Sequence, residues 1–291
     1  DAVRGATKYL KSDATSAEQT NTSTLASFDS NGFTLGGDNE INRSSYTYAS
    51  WVWDAGTSTV TNNDGSIASQ VRASAASGFS IIKYTGNNTS GATVGHGLNA
   101  APEFAIFRQI AVSNDWSVYS KAAGATGYLR LNLTDAFTTT SGQFNNTDPN
   151  SSVITLGGDH NVNGPSNEII CYAFAPVEGY SAMGSFEGNS SADGAFCFTG
   201  FKPALVVCKN IDAGQAWQVY DSARGPFNVI DEGLQWNSSG AEYTGTDRID
   251  FLSNGFKIKA PGGAEPNVNG QTYIYLSFAS NPFASNGGLA R

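Results

Sequence analysis

The stretch FTLGGDNEIN at residues 33–42 returns as ITLGGDHNVN at residues 154–163. Each reads as an apolar strand, then Gly-Gly, then an aspartate, closing on Asn42 or Asn163. A Gly-Gly-Asp loop suits a Ca²⁺ ligand set of Asp38, Glu40 and Asp159. It suits equally a turn that one architecture requires each time it is built. A third relative separates the readings. Residues 251–269 keep SNGF before and NVN after, but fill the interval with KAPGGAEP and lose the aspartate. Strand, turn and exit are retained and the candidate ligand is not. The block is a fold marker, and its aspartates are expected to bond their own backbone.

Working outward, FDSNGFTL (28–35), PNSSVITL (149–156) and FLSNGFKI (251–258) align. Each is followed by a run of period-two alternation: YASWVWDAG, IICYAFAPVEG and YIYLSFASNPF. Ser50, Cys171 and Tyr275 share one column; Trp53, Phe174 and Phe278 share another. Upstream, RGATKYL (4–10), AGATGYL (123–129) and RGPFNVI (224–230) correspond. Before the last two stand DWSVYSKA and AWQVYDSA, and earlier still GFSIIKYTGN (78–87) pairs with GYSAMGSFEGN (179–189). HGLNAAPEFAIFR (96–108) pairs with TGFKPALVVCK (199–209).

The organisation this predicts is the latter half of a first repeat at 1–54, a linker at 55–77, a second repeat at 78–177 and a third at 178–291. Because the first repeat begins in mid-pattern, a half-repeat is expected upstream. The linker carries a short hairpin signal at Asp64-Gly65. Alternating aromatic and β-branched residues between Gly, Asn, Asp and Ser clusters read as strands. Asn31-Gly32 and Asn254-Gly255 read as type I′ hairpin turns. Only GATKYLKSDATSAEQ (5–19) offers a turn or two of helix. The fold class is therefore all-β, in tandem antiparallel β-sandwich modules of jelly-roll or lectin-like type, about a hundred residues each. The modules stand alone or share sheets.

Charged residues are 14 % and the net charge is −9, so a phosphate-backbone ligand is disfavoured and nucleic acid is not expected as a partner. No apolar run approaches the ~18 residues of a membrane span, and membrane insertion is not expected. The three cysteines, Cys171, Cys197 and Cys208, lack zinc-site spacing and read as small buried residues, with a Cys197–Cys208 disulfide left open.

Catalysis finds little support in the residues. His96 is replaced by Thr199 and His160 by Asn39 in the aligned copies, and both are expected at the surface or in turns. A retaining glycosidase needs two carboxyl groups about 5–5.5 Å apart. Asp38 and Glu40 have the alternate spacing but lie in a turn, whereas Asp247 and Asp250 would face opposite sides of a strand. No enzyme is expected, and no cofactor beyond the Ca²⁺ alternative. Sugar stacking on exposed indole is the binding chemistry that remains. Trp116 and Trp217 share a WxVY column and Trp53 a phenylalanine column, so these belong to the core. Trp51 and Trp236 have no such counterparts and are the candidate ligand-binding residues, with Asp38, Glu40 and Asp159 beside them. Asp1/Arg4 and Asp221/Arg224 recur at matching places and read as ion pairs bracketing a turn.

The set VRGATKYL, FDSNGFTLGGDNEIN, WVWDAG, SIASQVRASAASGFSIIKYTGN, DWSVY, FCFTGFKPALVV, IDFLSNGFKI and YIYLSFASNPF resembles repeat modules in virion structural and tail-fibre proteins of tailed marine bacteriophages. That resemblance covers nearly the whole chain. It implies an external virion location on a fibre or other appendage, and partners that are copies of itself, other virion proteins and host-surface glycans. It supplies no catalytic residues. The alternatives are a carbohydrate-binding module and a bacterial surface or filament protein.

Overall fold

The computed structural model describes residues 1–280, so the end of the third repeat, 281–291, lies outside the described residues. Strands dominate, and the only α-helix among the described residues is one turn, His160–Asn163, N-capped by Asp159. Two large antiparallel sheets organise the chain. The first runs Thr138–Thr139, Gly127–Arg130, Ser117–Ser120, Phe104–Gln109, Glu168–Phe174, Phe79–Thr85, Ser69–Ser74, Val60–Asn62. The second runs Leu234–Gln235, Gln218–Asp221, Pro203–Asn210, Thr272–Ala279, Ser181–Glu187. Strands that align in sequence occupy the same places in both sheets. Phe174 sits opposite Phe79 and Phe104, just as Phe278 sits opposite Ser181 and Leu205.

Each large sheet covers a smaller one. Thr93–Gly95 pairs with Val153–Thr155 over the first, and Phe196–Phe198, Gly255–Ile258 and Ile249–Leu252 lie over the second. Ile82, Phe107 and Ile169 of the first large sheet meet Val94, Ile154 and Leu156 in one core. Val206, Tyr220 and Tyr273 meet Phe251, Phe256 and Ile258 in the other. The opposite faces of the two large sheets bury a third core together, in which Phe104, Val118 and Ile170 pack with Val207, Trp217 and Leu276. Central strands are thus covered on both sides. That is why all six residues of Phe104–Gln109 are buried and the run does not alternate. Each fully buried Phe, Leu or Ile there contributes about 1.5–3 kcal/mol of transfer free energy.

The repeats pack head to tail. Trp116 Nε1 donates to the carbonyl of Lys11 at 3.0 Å, and Trp217 Nε1 to that of Arg130 at 2.9 Å. Lys11 and Arg130 hold the same place in the repeat. Four residues on, Arg108 donates to the carbonyl of Thr15, and Lys209 Nζ to that of Thr134 at 3.0 Å. Each later repeat therefore caps the same carbonyls of the one before it, which is a heterologous interface used twice. The ring closes on aromatics. Trp53, Phe174 and Phe278, one from each repeat, stand 5.7, 5.4 and 5.8 Å apart pairwise, a near-equilateral triangle on a pseudo-threefold axis.

Several expectations are corrected. The 55–77 stretch is not a free linker. Its hairpin pairs Val60–Asn62 with Ser69–Ser74 at the edge of the first sheet, because Ile67 and Val71 are buried in that sheet's core. The SNGF hairpins are not type I′. The two-residue loops are Ser30-Asn31 and Ser253-Asn254, none of which has a positive φ, and Gly32 and Gly255 already belong to the returning strands. Type I′ needs φ > 0 at both loop residues, which serine resists. Residues 5–19 form turns and a two-residue strand rather than a helix, held to the second repeat by Glu18 N–H to the Ile110 carbonyl at 2.8 Å.

Candidate functional site

The aspartate of each Asp-x-x-Arg turn accepts the backbone N–H groups of the second and third residues after it, and pairs with the arginine Nε. Asp1 does so with Val3 and Arg4, and Asp221 with Ala223 and Arg224. Each turn then abuts the next repeat around the axis. Asp1 and Arg4 meet Tyr172, whose hydroxyl donates to Asp1 Oδ2 at 2.7 Å and accepts from Arg4 Nη2 at 3.0 Å. That junction is closed, with Arg4 also paired to Glu18 at 2.7 Å.

At the junction of Asp221 and Arg224 with the first repeat, the residue in the place of Tyr172 is Trp51. Indole offers no hydroxyl to complete the network. A groove of about 390 Å³ opens there, lined by Tyr48, Ser50, Trp51, Leu205, Asp221 and Arg224. Arg224 is held by Asp221 and Glu242, and both partners of the Asp221–Arg224 pair are largely buried. The groove thus combines a half-buried indole and a phenol with a fixed carboxylate–guanidinium pair. Such a surface suits a polar ligand with an apolar face, as a pyranose has.

Of the candidate ligand residues, the structure places Trp51 in this groove and the others elsewhere. Trp236 packs against the core between the large sheets, its carbonyl accepting from Ser12 Oγ at 2.7 Å. Asp38 and Asp159 each accept the N–H two residues on, from Glu40 at 2.7 Å and Asn161 at 2.8 Å. Glu40 pairs with Lys11 on the surface. No group of three or more His, Cys, Asp or Glu side chains stands where it could hold a metal among the described residues. The groove's partners of Trp51 were not apparent from spacing, because Asp221 and Arg224 come from a different repeat. The available signal was the unlike residue, Trp against Tyr, facing a turn that recurs.

The remaining titratable groups are structural. His96 is buried rather than at the surface. Its Nδ1 accepts from the Leu98 N–H, so Nε2 carries the proton toward the Asn150 carbonyl. Burial holds this imidazole below its ordinary pKa, against the opposing pull of that carbonyl. Burial also lowers Lys209 to about 8, with Glu265 and Asp135 opposing. The three thiols are free and buried; burial pushes Cys197 up to about 12 and Cys171 and Cys208 well above the ordinary range. Protonated and enclosed, they are poor nucleophiles.

Fold and groove define an all-β protein of repeated units packed head to tail, with a cleft where the repetition breaks. A family model described as Domain of unknown function (DUF7483) matches residues 1–282, and the chain belongs to that family. No curated protein and no solved structure matches it.

Proposed function

We propose that the chain is a non-enzymatic structural module of an external virion appendage, such as a phage tail fibre, with a role in assembly and host-surface attachment. One observation carries this reading. The side chains that recur between repeats make the contacts that join the repeats: the aromatic triangle, the two capping tryptophans, and Arg108 with Lys209. The recurring residues thus serve packing between repeats, as the body of an external appendage requires. The resemblance to marine phage repeat modules supports the location. Antibodies raised against the purified chain test it by electron microscopy of intact particles. External label on a tail or fibre is expected. Label confined to lysed particles, or to the surface of uninfected cells, overturns the reading.

The groove favours a second reading, carbohydrate binding at the junction of the first and third repeats. Expected on a glycan array is saturable binding that falls at least about tenfold in Trp51→Ala, the loss of about 1.4 kcal/mol or more of stacking. Trp236→Ala, outside the groove, should leave affinity unchanged. Equal loss in both variants, or no binding across the array, rejects the groove as a sugar site.

A further inference from the structure

The first repeat is an open half-sandwich. In the complete repeats, Glu168–Phe174 and Thr272–Ala279 are each hydrogen-bonded on both sides, between Phe79–Thr85 and Phe104–Gln109 in one case and between Ser181–Glu187 and Pro203–Asn210 in the other. The corresponding residues of the first repeat, 47–53, belong to no strand. Among the described residues no hydrogen bond reaches their main chain. Their inward side is occupied: Trp51 and Trp53 pack on the core between the large sheets. Their other side is exposed. Tyr48 is 50 % and Val52 69 % exposed, whereas their counterparts Ile169 and Ala173, and Tyr273 and Ser277, are all at 0 %. The hairpin above is equally uncovered, with Phe28 46 % and Phe33 36 % exposed against 4 % and 0 % for Phe251 and Phe256.

A glycine marks the same vacancy. A Cβ on Gly255 would lie 2.1 Å from the Cys197 carbonyl, so the neighbouring strand Phe196–Phe198 leaves no room for a side chain there. Gly32 holds the matching place and has nothing within 4 Å. The sequence keeps the clearance although no strand among the described residues fills it. Unpaired main chain and an apolar face together form a receptor for added strands.

We infer that this face is a docking site for the first half of a repeat of this chain's own type, with the strand pattern of residues 179–220. The two complete repeats show what covers such a face, since in each it is the repeat's own first half that supplies both neighbouring strands and the strand paired with Val153–Thr155 or Gly255–Ile258. This inference does not rest on the virion reading, and it competes with the glycan reading for Tyr48, which lines the groove and would be buried by a docked half-repeat.

The test is a fusion that places a copy of residues 179–220 directly before Asp1 of the full chain. Amide hydrogen exchange of residues 47–53 should slow at least about tenfold relative to the unfused chain. Val52→Asp should lower the melting temperature of the fusion by several degrees and leave that of the unfused chain within about 1 °C. If the fusion is insoluble, the same segment co-expressed as a separate chain should co-purify with the full chain and give the same protection. Fast exchange at 47–53 in both formats overturns the inference. So does protection of 47–53 in the unfused chain by self-association, which would make a second copy the occupant.

Discussion

Trp217→Ala lowers the stability of the folded chain by about 3–5 kcal/mol, the range for removing a large aromatic from a packed core. Trp217 is 1 % exposed, packs edge-on against Phe104 at 6.2 Å, and caps the Arg130 carbonyl. Ring, aromatic contact and hydrogen bond all lie between repeats. The substitution should therefore uncouple the second and third repeats as well as weaken the whole. In guanidinium unfolding the single transition should shift down and broaden toward two. Trp217→Phe separates the contributions: it keeps most of the ring and leaves the carbonyl unpaired, at about 1–3 kcal/mol. Trp116→Ala, at the equivalent junction with the first repeat, should cost a similar amount. A loss under about 1 kcal/mol for Trp217→Ala would show that the repeats do not pack through this residue.

Much of the fold was legible because the relevant signals are local. Period-two alternation and Gly/Asn clusters mark strands and turns, and the recurrence of Trp53, Phe174 and Phe278 marked a core column. That the three would touch one another could not be read, since nothing local says that a column points at an axis. The places of Arg108 and Lys209 were not legible for the same reason. A cation at the end of an apolar run carries no local mark of burial, yet both are fully buried: Arg108 Nη2 donates to the Thr15 and Ser16 carbonyls of the preceding repeat, and Lys209 Nζ donates to the Thr134 carbonyl there and to the Gln215 carbonyl of its own repeat. The hairpin at 60–74 was visible at Asp64-Gly65, but its place in the sheet depends on Ile67 and Val71, two apolar residues in a run of small polar ones. The groove was half legible. Trp51 stood out as a residue without a like counterpart, whereas Asp221 and Arg224 reach it only through the ring closure of the fold.

The alignment of the third repeat needs a shift of two residues, and the shift yields the second prediction. By sequence, Asn269 ends NVN as Asn163 does. By contact, the counterpart of Asn163 is Asn267. Asn163 Nδ2 donates to the carbonyls of Thr89 and Gly157 at 3.0 and 2.9 Å, and its Oδ1 accepts from the Asn87 N–H at 2.9 Å. Asn267 makes the same three bonds to Ser191, Ala260 and Asn189 at 2.7, 2.7 and 2.9 Å. Both side chains are at 0 % exposure. Asn163→Ala thus leaves the Asn87 N–H and the Thr89 and Gly157 carbonyls without their side-chain partner; only the Gly157 bond is fully buried, so a total of about 2–3 kcal/mol is expected. Asn163→Asp should fare no better, because a carboxylate cannot donate to two carbonyls. Asn42 carries the same motif position but is exposed and keeps one bond only, to the Gly36 carbonyl at 2.7 Å. Its truncation should cost no more than about 0.5 kcal/mol. Denaturant midpoints of Asn42→Ala, Asn163→Ala and Asn267→Ala, compared in one background, measure this difference. If Asn42→Ala proved as costly as the other two, the loop that an Asn pins in the complete repeats would have a counterpart over the first repeat in solution, and the half-sandwich would not be open.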